Sequence, residues 1–296
     1  NCGAKLPVFA MLISAFFAYN KAWMMFVITL ISWGGALLIA KLLRITVIRG
    51  APTPFIMELP PYRMPTVQGV LIHTWERTWQ YVRKAGTIIL AISILLWAMM
   101  TFPHLPENQA GRFETARQQV IARAAPETAR ELRSAGNGDD LSASAMALRQ
   151  QVNAIDAEKA RAALKYSMAG RIGTGLESIS HLAGFDWRTN IALVGGFAAK
   201  EVIVSTLGTA YSMGAVEAEN AGGLSRQLAE SPVWRPLTAF SLIIFIMFYS
   251  PCFVTVVCIA REAGSWKWGA FAMAFNTVLA FILAASIYQA GTLLGF

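Results

Sequence analysis

Charge is what this chain has least of. Only 14% of its 296 residues are Asp, Glu, Lys or Arg, where soluble domains carry about 25%. A chain that is 55% hydrophobic with so few charges is not an ordinary soluble protein. Cysteine and histidine are scarce too, at three each. Three cysteines are an odd number and two lie within apolar runs, which argues against a disulfide framework. His73, His104 and His181 all fall outside the apolar runs and read as surface or interfacial groups. A zinc site needs closely spaced Cys and His ligands, and none is found. A Cys252 nucleophile inside the membrane would need an imidazole within reach, and no span supplies one. There is no GxxxxGK[ST] phosphate loop; GRIGTGLES at 170–178 lacks the lysine and the strand context. The chain starts at Asn1 with no basic leader or cleavage site, so no signal peptide is expected, and it reads as one segment of a longer polypeptide.

What is present is apolar sequence in six runs, at 6–19, 22–43, 87–102, 191–211, 237–260 and 268–294. At about 1.5 Å per residue, roughly 20 residues cross a 30 Å hydrocarbon core, so 22–43 is long enough to span. The expected fold is all-α: a polytopic transmembrane helical protein with broken helices and a polar helical insert. Prolines interrupt APTPFIMELPPYRMPT at 51–66 and forbid a continuous helix there. The next segment, IHTWERTWQYVRKAG, sets Ile72, Trp75, Trp79 and Val82 at helical spacing with basic neighbours, as an interfacial helix leading into the next span does. The expected divisions are 1–102 as membrane region, with 51–86 interfacial, 103–188 as a water-exposed helical insert, and 189–296 as a second membrane region. Within the insert, 115–133 and 142–164 read as polar helices separated by SAGNGDD. The net charge of +8 fits basic cytoplasmic flanks of membrane helices better than nucleic-acid binding. Seven Lys and Arg against Glu58 and Glu76 put 41–84 in the cytoplasm and the insert outside.

Two places carry polar chemistry at membrane depth. In GGFAAKEVIVSTLGT, Lys200 and Glu201 sit in an apolar setting, with Ser205 one turn beyond Glu201. Each such charge costs about 2.5–3.5 kcal/mol on insertion scales. Two readings stay open: a Lys–Glu bridge that fixes packing, or a polar site at the break of a discontinuous helix. In FYSPCFVTVVC, Pro251 and Cys252 interrupt a span. Proline frees a carbonyl one turn earlier, near Met247, and a thiol beside it is a soft metal ligand; a tolerated kink with an inert cysteine is the other reading. The first residues, NCGAKLPVFA, place Cys2 at a similar break with Gly3 and Pro7, which suggests related halves.

NCGAKLPVFA, PFIMELPPYRMPT with HTWERTWQYVRKAGTIIL, GFDWR with GGFAAKEVIVSTLGT, and YSPCFVTVV with REAGSWKW together resemble the membrane region of FeoB-type ferrous iron transporters. The likeness runs in order from residue 1 to about 290, outside an unrecognised insert at 103–165. It implies a multi-pass protein of the bacterial inner membrane that imports Fe²⁺, built from gate-type inverted repeats, with 189–296 as gate region. By the same likeness, Cys2 and Cys252 are candidates for the Fe²⁺ path, and Lys200 and Glu201 match an Ala-Lys-Glu motif of the family; Glu201 is a third candidate transient ligand, with Pro251 and Ser205 nearby, while Cys258, which no motif supports, reads as buried packing. It also implies an N-terminal GTP-binding domain using GTP and Mg²⁺, a first gate half, small accessory Feo proteins and a homo-oligomer as partners besides Fe²⁺ and the bilayer. Neither the domain nor the first half is in this chain, so no cofactor and no enzymatic activity are expected of it, and no nucleic-acid partner. Other readings are a gate-fold transporter of another substrate, such as a nucleoside, and a membrane scaffold.

Overall fold

The computed structural model describes residues 2–48, 64–134, 142–198, 200, 202–211, 222–231 and 234–295, and all its regular elements are helical. The proline-rich stretch, apart from 64–66, and most of SAGNGDD lie outside them. Among the described residues, three stretches are long and apolar enough to cross a membrane: Ala18–Thr46, Pro236–Glu262 and Trp266–Leu293.

The core is built on α11 (Pro236–Phe248), which runs along α13 (Trp266–Leu293) and against α1 (Leu6–Phe16). Pro236 starts α11 where its missing N–H costs nothing. Leu242, Ile243 and Ile246 are fully buried and pack in one cluster with Phe9, Leu12, Ile28, Leu207, Ala280 and Ala284. Ser241 Oγ, buried among them, donates to the carbonyls of Ala183 (2.8 Å) and Ala284 (3.2 Å). α2 (Lys21–Thr46) contributes only Ile28 to the buried interior.

The apolar run at 191–211 is not one crossing. It forms α8 (Trp187–Ala198) and α9 (Val202–Ala210), which fold back on each other. A Cβ on Gly195 would touch Thr206 and Val202, and one on Gly196 would strike Ile203. From Gly195–Thr206 to Gly196–Ile203 one partner advances as the other retreats, as in antiparallel helices, and the two glycines allow the close approach. At about 1.5 Å per residue neither helix crosses a bilayer alone. The hairpin is instead enclosed by protein, with Ile203, Val204 and Leu207 fully buried, the setting in which a backbone break is tolerated at membrane depth.

The run at 87–102 continues a helix begun much earlier. α3 (Val67–Thr101) is unbroken over 35 residues, and Thr66 caps it by accepting from the Gly69 N–H at 3.3 Å. Trp75 and Trp79 stack with centroids 6.3 Å apart and are exposed.

The insert is not uniform. α4 (Glu107–Arg123), α5 (Pro126–Ser134) and α6 (Ala143–Tyr166) pack together. Pro126 divides α4 from α5, where the sequence alone suggested one helix over 115–133. Lys159 pairs with Glu114 at 2.5 Å and Arg117 with Asp156 at 3.6 Å. Glu131 takes both the N–H and the hydroxyl of Ser142, each at 2.7 Å. α7 (Met168–Ser180), although within 103–188, packs against α8. Gly173 makes this contact close: a Cβ there would lie 2.6 Å from the Trp187 carbonyl oxygen.

Candidate functional site

α11 ends at Phe248, and α12 (Phe253–Glu262) begins after an extended stretch from Tyr249 to Cys252. Pro251 is the cause, because it has no N–H to give to the carbonyl four residues back. That carbonyl belongs to Met247, and it is not left empty. Lys5 Nζ donates to it at 2.9 Å, across 242 residues of sequence. Lys5 ends the short 3₁₀ turn Gly3–Lys5 that follows Cys2. The N-terminal cysteine segment is thereby tied to the break that carries Cys252. A cation is well placed here, since the carbonyl end of a helix carries partial negative charge.

A third segment arrives from the α8–α9 turn. Lys200 is 3% exposed, and its Nζ sits 3.8 Å above the Tyr249 ring centroid, a cation–π contact of the kind that strengthens when desolvated. It has no hydrogen-bond partner among the described residues. Tyr249 in turn donates its hydroxyl to Leu193 O on α8 at 3.2 Å. Cys2 and Cys252 both lie within electrostatic reach of Lys5 and of Lys200. Cys252 Sγ is 3.2 Å from Thr255 Oγ1, and buried Ser250 turns its hydroxyl to the Pro251 carbonyl. A cavity of about 440 Å³ opens beside this cluster, lined by Lys5, Met247, Phe248, Tyr249 and Pro251 on one side and by Ser32, Leu43 of α2 and Asn276 of α13 on the other.

The sequence-derived residues therefore divide. Cys2, Lys200, Pro251 and Cys252 come together around one helix break. Glu201 lies outside the described residues. Ser205 faces a different cavity, about 610 Å³, with Ser93, Trp97, Met100, His104 and Thr209. Cys258, expected as buried packing, is exposed, because it lies on the outward side of α12. His73 is near Glu76 (3.8 Å) and His181 near the Glu177 carbonyl (3.2 Å). Lys5 is the residue that sequence reasoning missed. Its place one turn after Cys2 was visible, but a contact with residue 247 has no local signature.

Chemically, the cluster offers two thiols, a hydroxyl and main-chain oxygens at an unwound helix, with two ammonium groups set among them. Among the described residues no three His, Cys, Asp or Glu side chains gather closely enough to hold a metal ion. Such a donor set suits passing contact with a cation rather than a permanent centre.

The family described as "Ferrous iron transport protein B C terminus" matches residues 25–77, and the Gate family, described as "Nucleoside recognition", matches residues 82–266. A Fe(2+) transport protein A/Fe(2+) transporter FeoB fusion protein of Porphyromonas gingivalis is 32% identical over 99% of this chain and 33% of its own length. The Fe(2+) transporter FeoB of Helicobacter pylori J99 is 32% identical over 99% of the chain and 43% of its own length. That of Methanocaldococcus jannaschii is 30% identical over 99% and 36%. The chain thus spans about a third to two-fifths of the length of these curated relatives. No solved structure matches significantly. With more than half its residues matched by one family and nearly all by FeoB proteins, the chain belongs to the Gate family, in the form found in FeoB-type membrane regions.

Proposed function

We propose that this chain is the membrane permease portion of a ferrous iron importer, passing Fe²⁺ across a bacterial inner membrane through the break between α11 and α12. The observation that carries this reading is the Lys5–Met247 contact, which joins the Cys2 segment to the Cys252 break. The relatives' names supply the substrate. Fe²⁺ is a borderline metal that accepts thiolate, imidazole and carboxylate donors, and a transport site must release what it binds. Cys2 and Cys252 serve as successive transient ligands, with Glu201 as the carboxylate candidate. Pro251 keeps the helix open, and Lys200 holds Tyr249 in place. Ser205 lines the neighbouring cavity.

GTP hydrolysis with Mg²⁺ belongs, in this reading, to a GTP-binding region outside this chain, and no catalytic step is assigned to residues here. The fusion relative, whose name joins a transport protein A to FeoB, supports a small Feo protein as partner; a first gate half and a homo-oligomer complete the assembly.

The test is Fe²⁺ uptake by cells lacking their own importer, supplied with the intact protein at matched membrane levels. Cys252→Ser is expected to lose most uptake, and Cys258→Ser to keep it. Equal uptake in both contradicts a thiol on the path. A nucleoside reading draws on the description of the Gate family and on the 610 Å³ cavity with Trp97 and its hydroxyls; inhibition of uptake by nucleosides, with no effect of Cys252→Ser, would favour it.

A further inference from the structure

We propose that the Lys5 ammonium is a tethered cation that holds the path shut, occupying the Met247 carbonyl vacated at Pro251, so that a metal ion takes this oxygen only after Lys5 withdraws. The proposal rests on the transport reading above and adds a gate to it.

Four observations carry it. First, Met247 O is the acceptor that Pro251 cannot serve, and Lys5 Nζ reaches it at 2.9 Å. An unpaired buried carbonyl is costly, and Lys5 is the group that pairs this one. Second, Lys5 ends the turn that Cys2 opens, and the oxygen it holds lies at the break that Cys252 closes, so the ammonium stands on the link between the two cysteine segments. Third, Lys200 has its own cation fixed 3.8 Å over the Tyr249 ring. A divalent ion entering with Lys5 in place meets a like charge at the oxygen it would take. Fourth, Lys5 has somewhere to go. It is only half-buried and lines the 440 Å³ cavity that reaches Ser32 and Asn276, and its four-carbon stem is flexible. Lys200 is enclosed and has no such exit, so Lys5 is the mobile member of the pair.

The experiment uses the intact protein in liposomes with an outward-to-inward Fe²⁺ gradient, under reducing, anaerobic conditions. Two rates are read: Fe²⁺ influx, and alkylation of Cys252 by a quaternary-ammonium methanethiosulfonate relative to uncharged N-ethylmaleimide, located by mass spectrometry. Lys5→Gln keeps a donor for Met247 O, and so the tie between α1 and α11, but removes the charge. It is expected to speed downhill influx and to raise the cationic-to-neutral alkylation ratio by roughly fivefold, the factor for one unit charge a few ångströms away through water. Lys5→Arg keeps the charge and keeps the ratio low. An unchanged ratio in folded Lys5→Gln means the ammonium does not stand at the path and overturns the proposal. A raised ratio with unchanged or slower influx makes Lys5 a structural tie and overturns the gate. If the unsubstituted protein passes no Fe²⁺ at all, the transport reading itself fails, while the ratio still reports where the Lys5 charge lies.

Discussion

α2 and α11 look alike in sequence and live in opposite surroundings. Within the apolar stretches that contain them, Ala18–Thr46 and Pro236–Glu262, 18-residue segments have mean hydropathies of 2.0 and 2.5, yet 11% of the first segment and 44% of the second are buried within the protein. On α2, Trp33, Leu37 and Leu38 point outward. On α11, every residue from 241 to 247 is buried. Only the enclosed helix can bear polar interruptions, because protein partners satisfy what lipid cannot. Ser241 bonds to Ala183 and Ala284, and the carbonyl released by Pro251 finds Lys5. Hydropathy therefore locates the apolar stretches, while their polar content marks the one that is enclosed by protein.

The strongest way to break this comparison is truncation. Ile243→Ala on α11 is expected to cost about 2–5 kcal/mol, and Leu37→Ala on α2, at 74% exposure, no more than about 0.5 kcal/mol. Thermal unfolding of the two variants in one detergent checks this; equal shifts would mean that α11 is no more enclosed than α2.

Glycines sharpen it next. Gly173→Ala drives a methyl against the Trp187 carbonyl oxygen, 2.6 Å away, and should cost about 1–3 kcal/mol as overpacking. Gly34→Ala on α2 meets nothing within 4 Å and should raise stability by about 0.5–1 kcal/mol through helix propensity. Ser241→Ala follows, with an expected loss of about 1 kcal/mol from one net hydrogen bond, whereas removing the exposed Thr46 hydroxyl on α2, which bonds only to its own helix at Leu42 O, should register nothing.

The smallest effect belongs to the α4–α6 hairpin, which charge pairs help to hold. The hydrogen bond from Lys159, with its charge, keeps the Glu114 carboxyl below its ordinary 4.5. The backbone and then the side-chain hydrogen bonds of Ser142 do the same for Glu131. A depressed folded value stabilises the hairpin above the unfolded value and is lost as pH falls through the folded one. Amide exchange in α4–α6, corrected for intrinsic chemistry, should stay level from about pH 7 to about pH 5 and quicken below 4.5, with α11 unaffected. Glu114→Gln should flatten that dependence. Because both carboxylates are exposed, high salt should mask much of the effect.

Much of this was legible from residue order. The span at 22–43 is α2, 268–294 is α13 with its ends moved by a few residues, and the kink expected at Pro251 separates α11 from α12. Local chemistry determines such features. The turn at Lys200 was also visible, but not that it reverses the chain: the reversal depends on Gly195 and Gly196 admitting Thr206 and Ile203, which a single span with small residues would equally display. α7 was hidden for a related reason. Its composition matches the polar insert, and only the fit of Gly173 against α8 draws it into the body. The division between α4 and α5 could have been read from Pro126, whose place at a helix start is favoured. Lys5 was the least legible, since its partner lies 242 residues away.

The central claim is that one cation path runs past Cys2 and Cys252 and leaves Cys258 aside. It is tested most directly by metal protection of the intact, reduced protein in membranes. Alkylation of each cysteine by N-ethylmaleimide is followed by mass spectrometry with and without Fe²⁺, and with Mg²⁺ as a hard-cation control. The account predicts that Fe²⁺ slows modification of Cys2 and Cys252, that Mg²⁺ does not, and that Cys258 reacts at one rate throughout. Equal reactivity of Cys252 with and without Fe²⁺ would contradict it.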